Sequence, residues 1–253
     1  CEAGEKLEIA SNTYLSLYGV NSTTILYKAL KAVGANYGYY IPNREEEGYG
    51  MHSGRIKKLS EEGYEVVLTC DNGISAFEQV ELAKSLGMEV VITDHHDIPL
   101  RENEDGILKE QAPKADAVIN PKQKDCNYPF KMLCGAGIAL KFSKCLFNEF
   151  NIKNEEFLDL FQFAAIATVC DVVDLVDENR IIVKKGLELL NKSENYGIQE
   201  LKKATLLNDK KIEEYHLGFV IGPCINATGR LETADLSVEL LITKDRERAK
   251  VLA

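Results

Sequence analysis

The sequence predicts an α/β fold, a mostly parallel β-sheet with helices on both faces, followed by a helical tail. Three observations predict it. Short apolar runs alternate with helix-like stretches in the N-terminal half of the chain, which is typical of βα units. The runs are nearly continuous in apolar residues, as expected for strands covered on both faces. From Gly135 onward the chain shows mainly helical spacing.

Each element follows from its local pattern. Strands are expected at residues 14–18, 37–41, 65–70, 89–93 and 115–119. Helices are expected at residues 22–33, 55–62, 75–86, 138–150, 155–169 and 179–190. Pro42 ends one strand and Gly63 ends one helix, since both residues interrupt regular structure. Residues 101–111 are polar and predict a surface loop. We expect an α/β core over residues 1–205, with residues 206–253 beginning a connector to a second domain.

Composition limits the class of protein. The chain has 253 residues, 45% of them hydrophobic, and a formal net charge of −10. No apolar run reaches the length of a membrane span. The seven cysteines form no Cys-x-x-Cys pair, which favours reduced thiols in a cytoplasmic protein. The acidity argues against a protein that coats DNA generally, although it leaves a local basic groove open.

A candidate metal site lies at two predicted strand ends. Asp94, His95 and His96 follow the strand at 89–93, and Asp71 follows the strand at 65–70. Ligands bind at this carboxyl edge in open parallel sheets, and oxygen with imidazole ligands suits a divalent metal such as manganese, iron or zinc. A helix-capping role would explain Asp71 alone. It does not explain two histidines beside Asp94.

Asp171 is a third candidate ligand. It follows a run of small and apolar residues at 163–170, which could pack closely on the sheet. A buried carboxylate is costly unless it is paired or bound to a metal. Helix-end capping accounts for Asp171 equally well, so the spacing alone leaves both interpretations open.

The motifs together resemble the DHH phosphoesterase superfamily, and within it the RecJ-type single-strand-specific exonucleases. They run in family order along nearly the whole chain. The matching segments are residues 40–44, 47–50, 71–75, 93–96, 117–122, 128–131, 134–137, 171–173 and 222–230.

The resemblance implies metal-dependent hydrolysis of single-stranded DNA from the 5′ end, in repair or recombination. Mn²⁺ is the implied cofactor, with Mg²⁺ as the alternative and two ions in the complete protein. By the same resemblance Asp71, His95 and Asp171 match metal ligands, and Asp94 and His96 match catalytic positions. Single-stranded DNA is the expected partner, with a single-strand-binding protein or a helicase as candidate protein partners.

Three further residues are candidate DNA contacts. Gly135 and Gly137 open a helical segment whose backbone N–H groups could bind phosphate, although two nearby glycines are more often packing or turn residues. Arg230 follows Gly229 and could form a charge-assisted fork to a phosphate. Outside the family context, such an arginine is usually a solvated surface residue.

The sequence departs from the family at its first motif, an Asp-x-Asp-x-x-Gly loop that supplies two carboxylates. Without a gap, Ser16 and Tyr18 occupy the acidic positions. With a gap, a short loop is missing between Gly19 and Val20. We prefer the gap, and of its two explanations we favour a loop missing from the sequence as written over a true deletion.

Two alternative functions stay open at this point. One is a smaller DHH phosphodiesterase that acts on oligonucleotides or cyclic dinucleotides. The other is a catalytically inactive DHH binding module, which follows if the first acidic loop is deleted. Two-metal cleavage needs ligands for both ions, and without that loop a second ion lacks ligands.

Overall fold

The central sheet of the computed structural model is built from short parallel strands. The structure describes residues 6–11, 17–41, 50–102, 105–231 and 234–253, with the side chains of all of these except residues 6–11, 17–18 and 228–231. Its strands are β1 (Lys6–Ser11), β2 (Asn36–Tyr40), β3 (Val66–Cys70), β4 (Glu89–Thr93), β5 (Leu100–Glu102), β6 (Leu108–Glu110) and β7 (Ala117–Ile119). Five of them form one sheet in the order β2–β1–β3–β4–β7, and every pair is parallel. The predicted parallel α/β sheet is therefore confirmed.

Helices cover the sheet and form most of the described chain from residue 135 onward. They are α1 (Leu17–Ala32), α2 (Ser53–Glu61), α3 (Phe77–Ser85), α4 (Gly135–Glu149), α5 (Asn154–Asp159), α6 (Phe161–Cys170), α7 (Asp177–Leu190), α8 (Tyr196–Ala204), α9 (Glu214–His216), α10 (Gly222–Leu231), α11 (Ala234–Ile242) and α12 (Arg246–Leu252). A π-helical turn, Leu217–Ile221, joins α9 to α10. Within the described residues, no helix is both long enough and apolar enough to cross a lipid bilayer.

Successive residues of β3 point to opposite faces of the sheet. Val66 and Leu68 pack with α1, α4 and α6 in the larger apolar cluster. Val67 packs with α2 and α3 in a second cluster on the other face. The strand is buried along its whole length because helices lie on both sides of it. This explains why its sequence is nearly continuous in apolar residues.

The helical part packs onto the same core. In α6, residues 162–168 are all buried, as expected for a helix that is apolar on every side. Val238 and Leu241 of α11 belong to the same cluster as Leu26 of α1. Helices beyond residue 206 thus pack on elements from the start of the chain. The division into a core and a connector remains a prediction.

Two predicted elements differ from the structure. The first strand was expected at residues 14–18, but the strand is Lys6–Ser11 and Leu17 already begins α1; residues 14–16 lie outside the described part. Residues 101–111 do lie on the surface, yet they include parts of an antiparallel pair, β5 and β6, rather than loop alone. Every residue of this pair is exposed, so its polar sequence carried no apolar alternation to indicate strands.

The junction between Gly19 and Val20 lies inside helix α1. Helix α1 runs through it without interruption, and Thr24 Oγ1 donates a hydrogen bond to the Val20 carbonyl at 2.8 Å. The register without a gap, which places Ser16 and Tyr18 at the acidic positions, fits these elements because β1 ends at Ser11; the gap stays a prediction. The segment between β1 and α1, residues 12–16, has the sequence Asn-Thr-Tyr-Leu-Ser and contains no Asp or Glu.

Gly186 provides a test of the packing between α6 and α7. A Cβ added there would overlap the Cβ of Ala165 and lie 2.5 Å from the Phe161 carbonyl oxygen. Gly186→Ala is expected to lower the free energy of unfolding by about 1–3 kcal/mol, because overpacking outweighs the better helix propensity of alanine. Urea denaturation measures this change.

Gly54→Ala is the matched control for that substitution. Gly54 lies in helix α2, and a Cβ there meets nothing within 4 Å. The control is expected to raise the free energy of unfolding by up to about 1 kcal/mol through helix propensity alone. Equal effects of the two substitutions would contradict the tight contact assigned to Gly186.

Candidate metal centre

The candidate site lies at the carboxyl edge of two neighbouring strands. β3 and β4 pair so that Cys70 is opposite Thr93, and the next residues are Asp71 and Asp94. The Asp71 N–H donates to the Thr93 carbonyl at 2.9 Å, which extends the ladder by one bond. Adjacent parallel strands end at the same edge, so both acidic strand ends are brought together there.

Asp71 occupies the centre of this edge. Its backbone has φ +58°, a left-handed conformation that is uncommon outside glycine and is found often at functional sites. Its side chain is 4% exposed, and Oδ1 lies 2.9 Å from His95 Nε2. That oxygen accepts no well-aligned hydrogen bond. A buried carboxylate oxygen in this state is costly, and a bound cation would relieve the cost.

Asp171 reaches the same place from the helical part of the protein. It is the C-terminal capping residue of α6, and its Oδ2 lies 3.9 Å from His95 Nδ1. That oxygen is also buried without a hydrogen bond. Burial raises the pKa of Asp171 to about 6. The His95 ring therefore lies between two buried carboxylates, one from the sheet and one from a helix end.

Asp94 differs from the other two carboxylates because its oxygens are fully used. Oδ2 accepts from the Ile74 N–H at 3.0 Å. Oδ1 accepts from the His95 and His96 N–H groups at 2.8 and 3.1 Å and lies 2.6 Å from His96 Nδ1. With its side chain 1% exposed, Asp94 is placed to hold the two histidines rather than to meet a ligand.

His96 is held by Asp94 and faces outward. The hydrogen bond to Asp94 raises the pKa of His96 to about 9. Burial alone would raise the pKa of Asp94, but its hydrogen bond with His96 and the other donors keep that pKa below its usual value. The side chain of His96 is 52% exposed. With Nδ1 bound to Asp94, Nε2 is the ring nitrogen available to a ligand.

The donor set fits a divalent metal ion. Asp71, His95 and His96 each offer a ligand atom, and these atoms lie within 4.8 Å of one another. Asp171 adds a carboxylate on the other side of His95. Carboxylate oxygens beside imidazole nitrogens match the oxygen and nitrogen preferences of manganese, iron and zinc. The structure brings the predicted residues together, whereas their roles as ligands remain predictions.

The predicted DNA contacts are placed differently from one another. Gly135 begins α4 directly against Asp71, since an added Cβ would lie 2.5 Å from Asp71 Oδ1. Gly137 faces Leu133 instead, with 3.1 Å between an added Cβ and Leu133 Cδ2. Arg230 lies in α10, and its side chain is outside the described part. Phosphate binding by all three residues remains a prediction.

Asn120 is a positioning residue that the sequence analysis missed. It follows β7 at the same edge of the sheet and is 2% exposed. Its Nδ2 donates to the His96 carbonyl at 2.8 Å, and its Oδ1 accepts from the Lys122 N–H at 2.9 Å. Its position in the sequence was the signal that could have identified it. Asn120 follows β7, just as Asp71 follows β3 and Asp94 follows β4.

Replacement of Asp94 by Asn is expected to bring the pKa of His96 down from about 9 toward its ordinary value near 6.5. The measurement is the pH titration of the His96 ring by NMR. In the wild type, His96 stabilises the fold fully below about pH 6.5, and this contribution is lost as pH rises through about 9. The stability of Asp94→Asn should not show this decrease between about pH 6.5 and 9.

Asp97→Asn is the control for that titration. Asp97 is only one residue beyond His96, but its side chain is 93% exposed and pairs with Lys122 at 2.8 Å. The titration midpoint of His96 is expected to stay near its wild-type value in this variant. A similar drop in both variants would show that general surface charge, and not the Asp94 contact, sets the pKa of His96.

The parallel sheet and the Asp–His cluster at its carboxyl edge define an α/β protein with a candidate divalent-metal centre. Residues 18–168 match the family model described as "DHH family, N-terminal domain", and this match spans more than half of the chain. The protein belongs to the DHH family. The resemblance drawn from the motifs is therefore confirmed.

Curated relatives narrow the comparison to one branch of the family. The single-stranded-DNA-specific exonuclease RecJ of Bacillus subtilis (strain 168) is 39% identical over 235 residues, which cover 93% of this chain and 28% of that protein. RecJ of Escherichia coli (strain K12) is 35% identical over 246 residues, covering 93% of this chain and 41% of that protein. The chain thus spans less than half the length of these relatives.

Solved structures agree with this comparison. A crystal structure of exonuclease RecJ bound to manganese superposes with a TM-score of 0.83 at 29% identity, covering 98% of this chain and 59% of the other. RecJ from Thermus thermophilus in complex with Mn²⁺ gives a TM-score of 0.78 at 26% identity, covering 98% of this chain and 34% of the other. The described fold is that of the corresponding part of RecJ.

Proposed function

We propose that this chain is the catalytic core of a divalent-metal-dependent phosphodiesterase that degrades single-stranded DNA from the 5′ end. The observation that carries the proposal is a pair of buried carboxylate oxygens, Asp71 Oδ1 and Asp171 Oδ2, that flank His95 and accept no well-aligned hydrogen bond. The RecJ relatives, named as single-stranded-DNA-specific exonucleases, support the substrate. The manganese-bound RecJ structures support the metal.

Each residue of the metal centre has a separate role in this proposal. Asp71, His95 and Asp171 would hold the ion, which supplies Lewis-acid polarisation of a phosphoryl oxygen and an acidified water when bound. Asp94 fixes the ring of His96 through the 2.6 Å contact. His96 Nε2 then donates a hydrogen bond to a phosphate oxygen at the rim of the site. Gly135 leaves room for Asp71 at the start of α4, where the helix N-terminus favours negative charge.

The number of bound ions distinguishes a phosphodiesterase that cleaves DNA from a module that only binds it. Two ions were predicted for the complete protein from the family resemblance, in which the first acidic loop supplies two carboxylates. The segment between β1 and α1 has no Asp or Glu, and α1 is continuous through Gly19–Val20. These two observations favour a second candidate function, a DHH binding module that holds DNA without cleaving it. The smaller phosphodiesterase is the alternative within enzymes.

One assay separates these candidates. The chain with its natural flanking sequence is incubated with Mn²⁺ and 5′-labelled single strands, dinucleotides or cyclic dinucleotides. We expect release of mononucleotides from the 5′ end of the strand, and no release by Asp71→Asn. Cleavage of dinucleotides alone would favour the smaller phosphodiesterase. Binding of single strands without turnover of any substrate would leave the binding module.

The wider setting follows from the same proposal. We expect the protein to act in DNA repair or recombination in the cytoplasm, with a single-strand-binding protein or a helicase as its partner. Co-purification of either protein with the full-length chain, and its loss on competition with free single strands, would test the partnership.

A further inference from the structure

A cavity of about 380 Å³ adjoins the metal centre on the side of His96. Asp94 and His96 form the wall that it shares with the metal centre, and the segment from Asn72 to Gln79 forms much of the rest. The volume is within the range of small-molecule sites. A substrate with a phosphate at the metal centre would therefore place a neighbouring group in this cavity.

The cavity contains a buried polar group that lacks a partner. Asn72 is 7% exposed, and its Nδ2 has no hydrogen-bond partner within the described residues. A buried amide without a partner is uncommon and calls for an explanation. A ligand atom in the cavity would supply the missing hydrogen bond.

The chemistry of the lining favours a nucleobase over a phosphate. Besides the Asp94–His96 pair, the polar side chains that line the cavity are Asn72, Ser75 and Gln79, which are neutral. No Lys or Arg is among its lining residues in the described part of the chain. Amides pair with base edges. The buried apolar residues Met51 and Ile74 add a surface for the flat face of a ring.

We infer that this cavity is the pocket for the base of the nucleotide next to the scissile phosphate, with Asn72 donating a hydrogen bond to that base. The inference rests on the proposed function, because it places the phosphate at the metal centre. It adds that the site recognises a nucleoside on one side of that phosphate. Base-free sugar phosphates should then bind less well than nucleotides.

The test compares deoxynucleoside 5′-monophosphates with 2-deoxyribose 5-phosphate, by calorimetry on the full chain with Mn²⁺. For the wild type, we expect at least one nucleotide to bind about 10-fold or more tightly than the sugar phosphate, as a satisfied hydrogen bond and a buried ring face allow. In Asn72→Leu the side chain keeps a similar volume but loses the amide. The preference for the nucleotide over the sugar phosphate should then fall below about 3-fold, while the affinity for Mn²⁺ changes by less than about 2-fold. Asn208→Leu, at an exposed asparagine, should keep the wild-type ratio.

Each other outcome has a definite meaning. Equal binding of nucleotides and sugar phosphate by the wild type would overturn the inference, as would a wild-type ratio retained in Asn72→Leu. If Asn72→Leu does not fold, Asn72→Ser, which shortens the donor, takes its place with the same expected ratio. DNA cleavage without base discrimination would contradict only the base pocket. Failure to bind any phosphate, together with no DNA cleavage, would contradict the proposed function as well.

Discussion

Asp71→Asn is expected to abolish the stabilisation of the protein by manganese. A ligand that binds only the folded state stabilises it by about 2.7 kcal/mol at 100 times its Kd, and the wild type should show an increase of this order. Asp71 Oδ1 lies 2.9 Å from His95 Nε2 and accepts no well-aligned hydrogen bond. The neutral amide is a much weaker ligand than the carboxylate, so the variant should unfold at the same urea concentration with and without Mn²⁺.

Without metal, Asp71→Asn should destabilise the protein less than a typical core substitution does. Asn is close to Asp in shape and removes a buried negative charge, so we expect the metal-free free energy of unfolding to fall by no more than about 1 kcal/mol. Asp97→Asn, at an exposed carboxylate, should keep the full response to Mn²⁺. An undiminished manganese response in Asp71→Asn would exclude Asp71 as a ligand.

Gly135→Ala is expected to damage both the fold and the metal centre. The added Cβ would lie 2.5 Å from Asp71 Oδ1 and 2.7 Å from Asp71 Cγ, distances that Cβ atoms do not tolerate. Either Asp71 or the start of α4 must move. Helix propensity alone would predict stabilisation by alanine. We instead expect a loss of about 1–3 kcal/mol from overpacking, together with loss of most of the response to Mn²⁺.

Gly137→Ala is the matched control in the same helical turn. Its added Cβ would lie 3.1 Å from Leu133 Cδ2, the far end of a flexible side chain that can shift. This variant should retain the response to Mn²⁺ and lose less stability than Gly135→Ala. If both alanine variants respond to Mn²⁺ as the wild type does, the contact between α4 and Asp71 does not control the metal centre.

The sheet was largely predictable because its strands keep their local signals. β3 and β4 are short apolar runs with turns at both ends, and the structure matches them within a residue. β1 was missed because Glu8 and Ser11 interrupt its apolar pattern. The apolar run at residues 14–18 was mistaken for it. The start of α1 was hard to recognise, since Ser22, Thr23 and Thr24 are fully buried in that helix, and serine and threonine are poor helix formers.

The site was predictable only where sequence neighbours determine it. Asp71 and His95 follow adjacent strands, so the parallel order brings them to one edge. Asp171 depends on how α6 packs against the sheet, which no local pattern encodes, and the sequence therefore left its role open. The left-handed backbone of Asp71 and the hydrogen bonds of Asn120 arise from tertiary contacts and carry no sequence signal of their own.

The placement of the three candidate ligands has a kinetic consequence. Asp71 and His95 come from the sheet, and Asp171 comes from the end of α6, so a bound ion would cross-link segments that are far apart along the chain. Such contacts form late in folding, because long loops must close first. Interactions absent from the transition state slow unfolding without speeding folding. The ion would therefore mainly lower the unfolding rate. It would extend the lifetime of the folded protein more than it would raise the folding rate.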